Sequence, residues 1–216
     1  MMDTIMRCNT TSCDIVLSGI GGQGVLTLAQ IIARAALADS LNVRVGEIHG
    51  MAQRGGHVVC TVRIGDSAFG PQVDVGCADL LVGFEPVETL REINLLKPEG
   101  YVIMNRNVVT PVAVSMGKAR YPTLQEIRSA IDRFTHRVVE LEALTLARSA
   151  GSEMSANVVL LGAVVGTGIV PLSMASVVHE IESSFSAKYL DVNRRAFELG
   201  LEESKRVVAQ LNRPSV

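Results

Sequence analysis

Three glycines at the spacing G-x-G-x-x-G are the first residues of this sequence whose arrangement suggests chemistry. Gly19, Gly21 and Gly24 lie in SGIGGQGVLTLAQ, between an apolar run and a helix-forming segment. Such glycines let the backbone approach a phosphate closely, and the following helix directs its free N–H groups and positive dipole end at the same place. No Lys-Ser or Lys-Thr pair follows Gly24, which excludes a Walker loop. The turn predicts an anion or nucleotide contact, or else a turn that only packs the helix on the strand.

A second polar cluster lies in EIHGMAQRGG, residues 47–56. Arg54 is best suited to hold a phosphate or carboxylate, because a guanidinium offers paired donors and keeps its charge. Glu47 lies where a dinucleotide fold places its ribose-binding carboxylate, roughly 20 residues after the glycines. Glu47 and His49 are two residues apart and could share a strand face for acid/base chemistry. Hydrogen bonds that orient the loop explain either residue alone.

The cysteines and histidines show no spacing that would indicate metal binding or catalysis. The four cysteines, Cys8, Cys13, Cys60 and Cys77, form no C-x-x-C pair, so no zinc site or ferredoxin-type cluster has the required spacing. Cys60 lies in an alternating apolar strand and is read as a small buried hydrophobe. His57, His136 and His179 have no partnered spacing and are expected at the surface or in ordinary hydrogen bonds. The sequence predicts no catalytic residue and no metal ligand.

Apolar strands alternate with helical segments through the first 150 residues. Strands are predicted at 14–20, 42–48, 57–64, 78–84, from 101, and at 137–141, with helices at 25–39, 85–96, 123–134 and 143–150. After Gly151 only helices follow, at 155–165, 173–184 and 188–211. The pattern predicts an α/β fold: an open, mainly parallel Rossmann-like sheet with helices on both faces and a helical C-terminal extension.

The loops after residues 20, 48 and 84 are expected at one edge of this sheet, where the strands end and ligands collect. Glu85, before Pro86 in the third loop, needs no role beyond capping the helix that follows. Residues 1–13 are expected to be a flexible N-terminus, and 14–216 a single domain whose helical extension begins near 152.

Charge and hydropathy exclude two classes of partner, nucleic acid and membrane. The formal net charge is −2 and the charges are interspersed, so no basic block is present to neutralise nucleic acid phosphates. The longest nearly uncharged run, 157–172, is shorter than a membrane span and is read as a buried helix and its exit. The first residues lack the apolar segment of a secretory signal. We therefore expect a cytoplasmic protein that binds neither nucleic acid nor membrane.

Three segments together resemble the γ domain of the 2-oxoacid:ferredoxin oxidoreductases, namely GIGGQGVLTLAQ, the loop AQRGG and GFEP. Further segments are most similar to the indolepyruvate branch of that family: NRNVVTPVAVSMGKARYP, NVVLLGAVVGTGIVP and NRRAFELG. The resemblance runs from about Asp14 to Gly200, nearly the whole chain.

The resemblance implies a β subunit that supports oxidative decarboxylation of an arylpyruvate to an acyl-CoA with reduction of ferredoxin. Thiamine diphosphate, magnesium and 4Fe-4S clusters are then expected on a larger α subunit, and ferredoxin meets the complex. The chain itself is expected to hold no cofactor tightly and to be inactive when isolated. A homodimer of the isolated chain is compatible with this expectation. The alternatives are a γ subunit of a related pyruvate or 2-oxoglutarate enzyme, and a freestanding NAD- or flavin-binding oxidoreductase that uses Glu47.

The family's loops can be carried over residue by residue. The matching positions are Gly19, Gly21, Gly22, Gln23 and Gly24 in the turn, and Gln53, Arg54, Gly55 and Gly56 in the second loop. The resemblance implies that these residues form one wall of the active-site approach and contact coenzyme A, whose phosphates suit a glycine turn near an Arg. His57 departs from the pattern, since a small residue is expected after the glycine pair.

Overall fold

The computed structural model describes residues 12–49, 55–66 and 68–213, without the side chain of His49. Most of the predicted flexible N-terminus lies outside these residues, and Cys13 already belongs to the first strand. The predicted site residues Gln53 and Arg54 also lie outside the described part of the chain.

Six strands form one sheet in the order β2-β3-β1-β4-β5-β6. The strands are β1 Cys13–Ile20, β2 Val43–His49, β3 His57–Ile64, β4 Ala78–Gly83, β5 Leu96–Asn105 and β6 Val138–Leu141. From β1 through β4 and β5 to β6, every neighbouring pair is parallel. The expected open, mainly parallel sheet is confirmed.

The strand β3 runs against the rest of the sheet. It pairs antiparallel with β1 on one side and with β2 on the other, so β2 runs in the same direction as β1. In the first pair Ile20 lies opposite His57, which places the start of β3 beside the end of β1. The loop from β2 to β3 therefore opens at the same edge as the loops after β1 and β4, as expected from the sequence.

Eight α-helices occur in the described residues. They are α1 Val25–Ala38, α2 Pro86–Arg91, α3 Val112–Ser115, α4 Leu124–Ile131, α5 Ala143–Ala150, α6 Ala156–Gly166, α7 Met174–Ser184 and α8 Leu190–Leu211. The predicted helices differ from the observed ones in two places. The helix predicted over 85–96 ends at Arg91 and is followed by a 3₁₀ turn, because β5 already begins at Leu96. The short helix α3 was not predicted, since four residues show no periodicity.

The sheet is covered on both faces, and alternate residues of β1 and β4 enter opposite cores. Ile15, Leu17 and Leu80 pack with the apolar residues of α1 and of α5 through α8. Val16 and Leu81 pack on the other face with residues from α2, α4 and the 3₁₀ turn. This two-sided burial explains why β1 and β4 read as continuous apolar runs rather than alternating ones.

The C-terminal helices pack closely on each other. In α6 nearly every residue is buried, which confirms the reading of 157–172 as a buried helix and its exit. A Cβ atom added at Gly162 would lie 2.0 Å from the Phe197 carbonyl oxygen of α8, so the two backbones touch where a side chain would separate them. In the described residues, no helix combines the length and apolarity needed to cross a membrane.

Candidate functional site

The turn between β1 and α1 is the centre of the candidate site. Gly24 has φ +85°, in the left-handed region, and a Cβ atom there would lie 2.8 Å from Asn157 Nδ2. A side chain at this position would meet both backbone strain and a clash. Gly22 is open to solvent, with nothing within 4 Å of an added Cβ atom. The turn is therefore tight where it meets α6 and open where a ligand would approach.

The second loop joins this turn through its glycine pair. The Gly21 amide donates to the Gly56 carbonyl at 2.8 Å, and the Gly55 amide donates to the Gly21 carbonyl at 3.3 Å. Gly55 and Gly56 thus lie directly against the glycine turn, although they are more than thirty residues away in the sequence.

The third loop is tied to the turn by Gln23. Its Oε1 accepts a hydrogen bond from the Ile20 amide at 2.8 Å, and its Nε2 donates to the Phe84 carbonyl at 3.3 Å. The same Phe84 carbonyl accepts from Asn105 Nδ2 at 3.0 Å. The Gln23 amide therefore closes its own turn and fastens it to the loop after β4. A ligand contact by Gln23 stays a prediction.

The first turn of α1 offers unsatisfied donors. No side chain caps this helix, and its first turn carries no acidic residue. The first amides of any α-helix have no carbonyl partner within it, and the helix dipole adds positive charge there. Thr27 in this turn lines two cavities of about 450 and 340 Å³ that adjoin the glycines. The arrangement can hold an anionic group such as a phosphate.

Asn157, in the first turn of α6, borders the same space. It is 8% exposed, it lines the 450 Å³ cavity, and its Oδ1 has no hydrogen-bond partner within the described protein. Buried polar atoms are nearly always paired, so an unpaired one at a cavity marks a place where a ligand or water completes the site. The sequence does signal this residue, since it is the one strongly polar side chain in the apolar run 156–166.

Glu85 caps α2, as expected. Its Oε2 accepts from the amides of Val87 at 2.7 Å and Glu88 at 3.1 Å. Its other oxygen accepts from the Tyr121 hydroxyl and, at 3.4 Å, from the Val109 amide. Burial, reinforced by the Glu85 carboxylate, raises the pKa of Tyr121 well above its ordinary value. Glu85 therefore also links the loop after β4 to the segment that follows β5.

His57 lies between two carboxylates, consistent with the hydrogen-bonded role expected for it. Its Nδ1 contacts Glu88 and its Nε2 lies 3.0 Å from Glu92 Oε1. These partners belong to α2 and the residue after it, so the side chain that departs from the family pattern joins the second loop to the third. Sequence reasoning missed the pair because the partners lie 31 and 35 residues away.

The described cysteines do not form a metal centre. Cys13 and Cys60 are buried in strands, and burial, followed by nearby carboxylates, raises the pKa of each thiol to about 12. Thiols with such values stay protonated, whereas metal and cluster ligands must be thiolates. Throughout residues 12–49, 55–66 and 68–213, no group of three or more His, Cys, Asp or Glu side chains is placed to hold a metal ion. The described cysteines therefore offer no ligand set for an iron-sulfur cluster.

Glu47 does not serve the glycine turn as a dinucleotide fold would require. The sheet order places β3 between β1 and β2, so Glu47 lies two strand spacings from β1, about 10 Å. It is exposed and pairs in register with Cys60. A ribose anchor must stand on the strand beside the glycines, and the reading of Glu47 as that anchor is therefore wrong. The side chain of His49 lies outside the described residues, so its acid/base pairing with Glu47 stays a prediction.

Comparison with known proteins gives concordant matches. Residues 14–203 match the family described as pyruvate ferredoxin/flavodoxin oxidoreductase. The indolepyruvate oxidoreductase subunit IorB of Pyrococcus horikoshii is 45% identical over 196 residues, which cover 90% of this chain and 97% of the relative. The γ subunit of a keto/oxoacid ferredoxin oxidoreductase from Geobacter sulfurreducens has a TM-score of 0.66 at 24% identity, covering 90% of this chain and 99% of that one.

A longer protein contains the same fold. The structure of 2-oxoglutarate:ferredoxin oxidoreductase from Magnetococcus marinus, with 2-oxoglutarate, coenzyme A and succinyl-CoA bound, matches with a TM-score of 0.67 at 19% identity. The match covers 90% of this chain but 31% of that one. In that protein the fold is one part of a chain about three times as long.

Proposed function

This chain belongs to the pyruvate ferredoxin/flavodoxin oxidoreductase family, and on that premise we propose that it is the smaller subunit of an indolepyruvate oxidoreductase. The observation that supports this most strongly is the 45% identity to an indolepyruvate oxidoreductase subunit over 90% of the chain. The complex would convert an arylpyruvate and coenzyme A to an aryl-acetyl-CoA and carbon dioxide, while two electrons pass to ferredoxin. The γ subunits of related enzymes share the fold at lower identity.

The larger subunit would hold the reactive cofactors. Thiamine diphosphate, when bound there, supplies the carbanion chemistry of decarboxylation, and iron-sulfur clusters carry the electrons. The donor set of this chain supports that division, because the thiols of Cys13 and Cys60 are buried and protonated and the described carboxylates form no group of three that could hold a metal ion. This chain then contributes binding and positioning, and no catalytic residue is assigned to it.

The part of this chain in the reaction would be to bind an anionic portion of coenzyme A at the glycine turn. The uncapped start of α1 and the open side of Gly22 border one cavity, and the wall of that cavity also carries the unpaired Asn157 Oδ1, an acceptor for an N–H or O–H group of the ligand. Backbone N–H groups at a helix start bind phosphates without any positively charged side chain. Arg54, in the neighbouring loop, would add a guanidinium to the same anion.

The contact with coenzyme A can be tested by placing a negative charge in the first turn of α1. Thr27→Glu should leave folding intact, because a carboxylate there interacts favourably with the helix dipole. The same carboxylate would repel a bound phosphate, and we expect the apparent KM for coenzyme A of the coexpressed complex to rise at least about tenfold. Arg54→Ala should raise the same constant. The matched control is Gln30→Glu, since Gln30 is exposed one turn further along the helix.

Two outcomes distinguish the contact with coenzyme A from the assignment as a subunit. An unchanged KM for coenzyme A in the Thr27→Glu complex would refute the contact at the glycine turn. Failure of the wild-type chain to copurify with a coexpressed larger subunit, or full activity of that subunit alone, would refute the subunit assignment itself.

A further inference from the structure

A long exposed segment follows β5, and we call residues 106–120 the docking arm. All but two of these residues are exposed. Its large apolar side chains face solvent: Val112 is 74% exposed, Met116 60%, and Val108 and Val109 43% each. The charged residues of the arm are all basic. A contiguous exposed apolar stretch of this kind marks an interaction surface.

The tip of the docking arm has a defined shape without support from its own chain. The helix α3 begins after Pro111 and has no buried residue. It ends at Ser115, and two residues later Gly117 has φ +70°. The amides of Gly117 and Lys118 donate to the carbonyls of Val114 and Ala113 at 2.9 and 2.8 Å. This is a Schellman termination. A single helical turn is marginal in water unless one of its faces packs on another surface. The described residues provide no such surface for α3, so we expect a partner to provide it.

The base of the docking arm is fastened to the candidate site. Glu85, which caps α2 in the loop after β4, accepts from the Val109 amide near one end and from the Tyr121 hydroxyl just beyond the other. Asn107 Oδ1 accepts from the Leu144 amide at 3.0 Å. Both ends are therefore held at the edge of the sheet that carries the glycine turn, while the tip is presented outward. A surface held in its binding conformation loses little entropy on association.

A cavity of about 300 Å³ continues the apolar surface from the arm to the glycine turn. Val108 and Val109 line it on one side, and Gly22, Gln23 and the start of α6 on the other. Met154, which is 87% exposed, also borders it. Whatever covers the arm must therefore also cover the candidate site.

We propose that the docking arm is the surface on which the larger, thiamine diphosphate-binding subunit binds, an inference that rests on the proposed function. A site whose reactive cofactor belongs to another subunit has to be covered by that subunit, and the arm lies at that edge. The partner surface would be an apolar groove that receives Val112 and Met116, with an acidic rim facing Lys118.

The test compares two charge-matched double variants coexpressed with the tagged larger subunit. Val112→Asp with Met116→Asp buries two carboxylates in the interface, and we expect the Kd between the subunits to rise about a hundredfold or more. The control is Val75→Asp with Phe69→Asp, because these side chains are 70% and 92% exposed and lie at the opposite edge of the sheet. All four positions are at the surface, so both isolated variants should melt like the wild type.

The possible results distinguish the docking proposal from the subunit assignment and from self-association of this chain. Copurification of the Val112→Asp, Met116→Asp chain at the wild-type level would overturn the proposal while leaving the subunit assignment standing. If the wild-type chain itself fails to bind the larger subunit, the proposed function fails instead. If the same variant turns a dimer of the isolated chain into a monomer and still binds the larger subunit, the arm joins two copies of this chain and the proposal is wrong.

Discussion

The contact between α6 and α8 leads to a quantitative prediction at Gly200. A Cβ atom at this position would lie 1.9 Å from the Val159 carbonyl oxygen and 2.8 Å from its carbon. Ordinary contact begins near 3.4 Å, and both atoms are backbone, so no side chain can rotate away. For Gly200→Ala the two helices must separate by more than an ångström. The buried contacts of Ala196 and Phe197, one turn away on α8, would loosen with them.

Two opposing terms set the magnitude. Overpacking of a buried contact costs about 1–3 kcal/mol, and a backbone-to-backbone clash lies at or above the upper end. Replacing Gly by Ala inside a helix stabilises the helix itself by about 1 kcal/mol. We therefore expect Gly200→Ala to lower the free energy of unfolding by about 2 kcal/mol or more, against the usual stabilising effect of this substitution. For a domain of this size that corresponds to a fall in Tm of about 4–8 °C.

The assay is thermal and urea unfolding of the isolated chain followed by circular dichroism. Gly70→Ala is the control, because an added Cβ atom there meets nothing within 4 Å and the backbone is not left-handed. It should change stability by less than about 1 kcal/mol and in the stabilising direction. A Gly200→Ala chain that melts at or above the wild-type temperature would refute the close helix contact from which the estimate is derived.

Two further predictions concern stability. Asn105→Ala should cost about 1–3 kcal/mol in urea unfolding, because the buried side-chain amide donates to the Phe84 carbonyl and accepts from the Ala143 amide, each at 3.0 Å. The Ala143 amide would lose its partner, and the Phe84 carbonyl would keep only the hydrogen bond from Gln23; an unchanged urea midpoint would contradict the prediction. Although desolvation opposes the shift, hydrogen bonds from Ser176 and Ser173 hold the pKa of Asp39 in the folded protein below its ordinary value. The stability that this carboxylate contributes is therefore fully present above its pKa in the unfolded chain. It is lost as the pH falls through its lower pKa in the folded protein. Because this carboxylate lies near solvent, which screens its interactions, Asp39→Asn should be less stable than the wild type by less than about 1 kcal/mol at pH 7. The deficit should shrink as the pH falls below about 4, and a deficit independent of pH would show that the charge is not involved.

Much of the local structure could be predicted because it depends on neighbouring residues. The strand at 57–64 and the helix at 143–150 match the observed bounds, since apolar periodicity and turn residues mark both. The capping role of Glu85 could also be predicted, because the caps of a helix are local in sequence. The edge at which all three loops meet could be predicted as well, because loops that follow the strands of an open α/β sheet open at one edge.

Contacts between distant segments could not be predicted in the same way. The antiparallel insertion of β3 beside β1, which removes Glu47 from the glycines, depends on strand pairing across the chain. The carboxylates that hold His57, and the position of Asn157 against Gly24, depend on how helices pack on the sheet. Periodicity reports which face of an element is apolar, and it does not report which element covers that face.

The sequence by itself determined the order and kind of the elements, the family, and the residues of the turn between β1 and α1. Tertiary structure decided what those residues do: Gln23 fastens the turn to the Phe84 carbonyl, and the open start of α1 faces a cavity. It also decided that the docking arm, whose apolar residues read like any core segment, stays exposed. The physical reason is that burial is a property of the whole packed chain, and only folding shows which apolar surface remains for another protein.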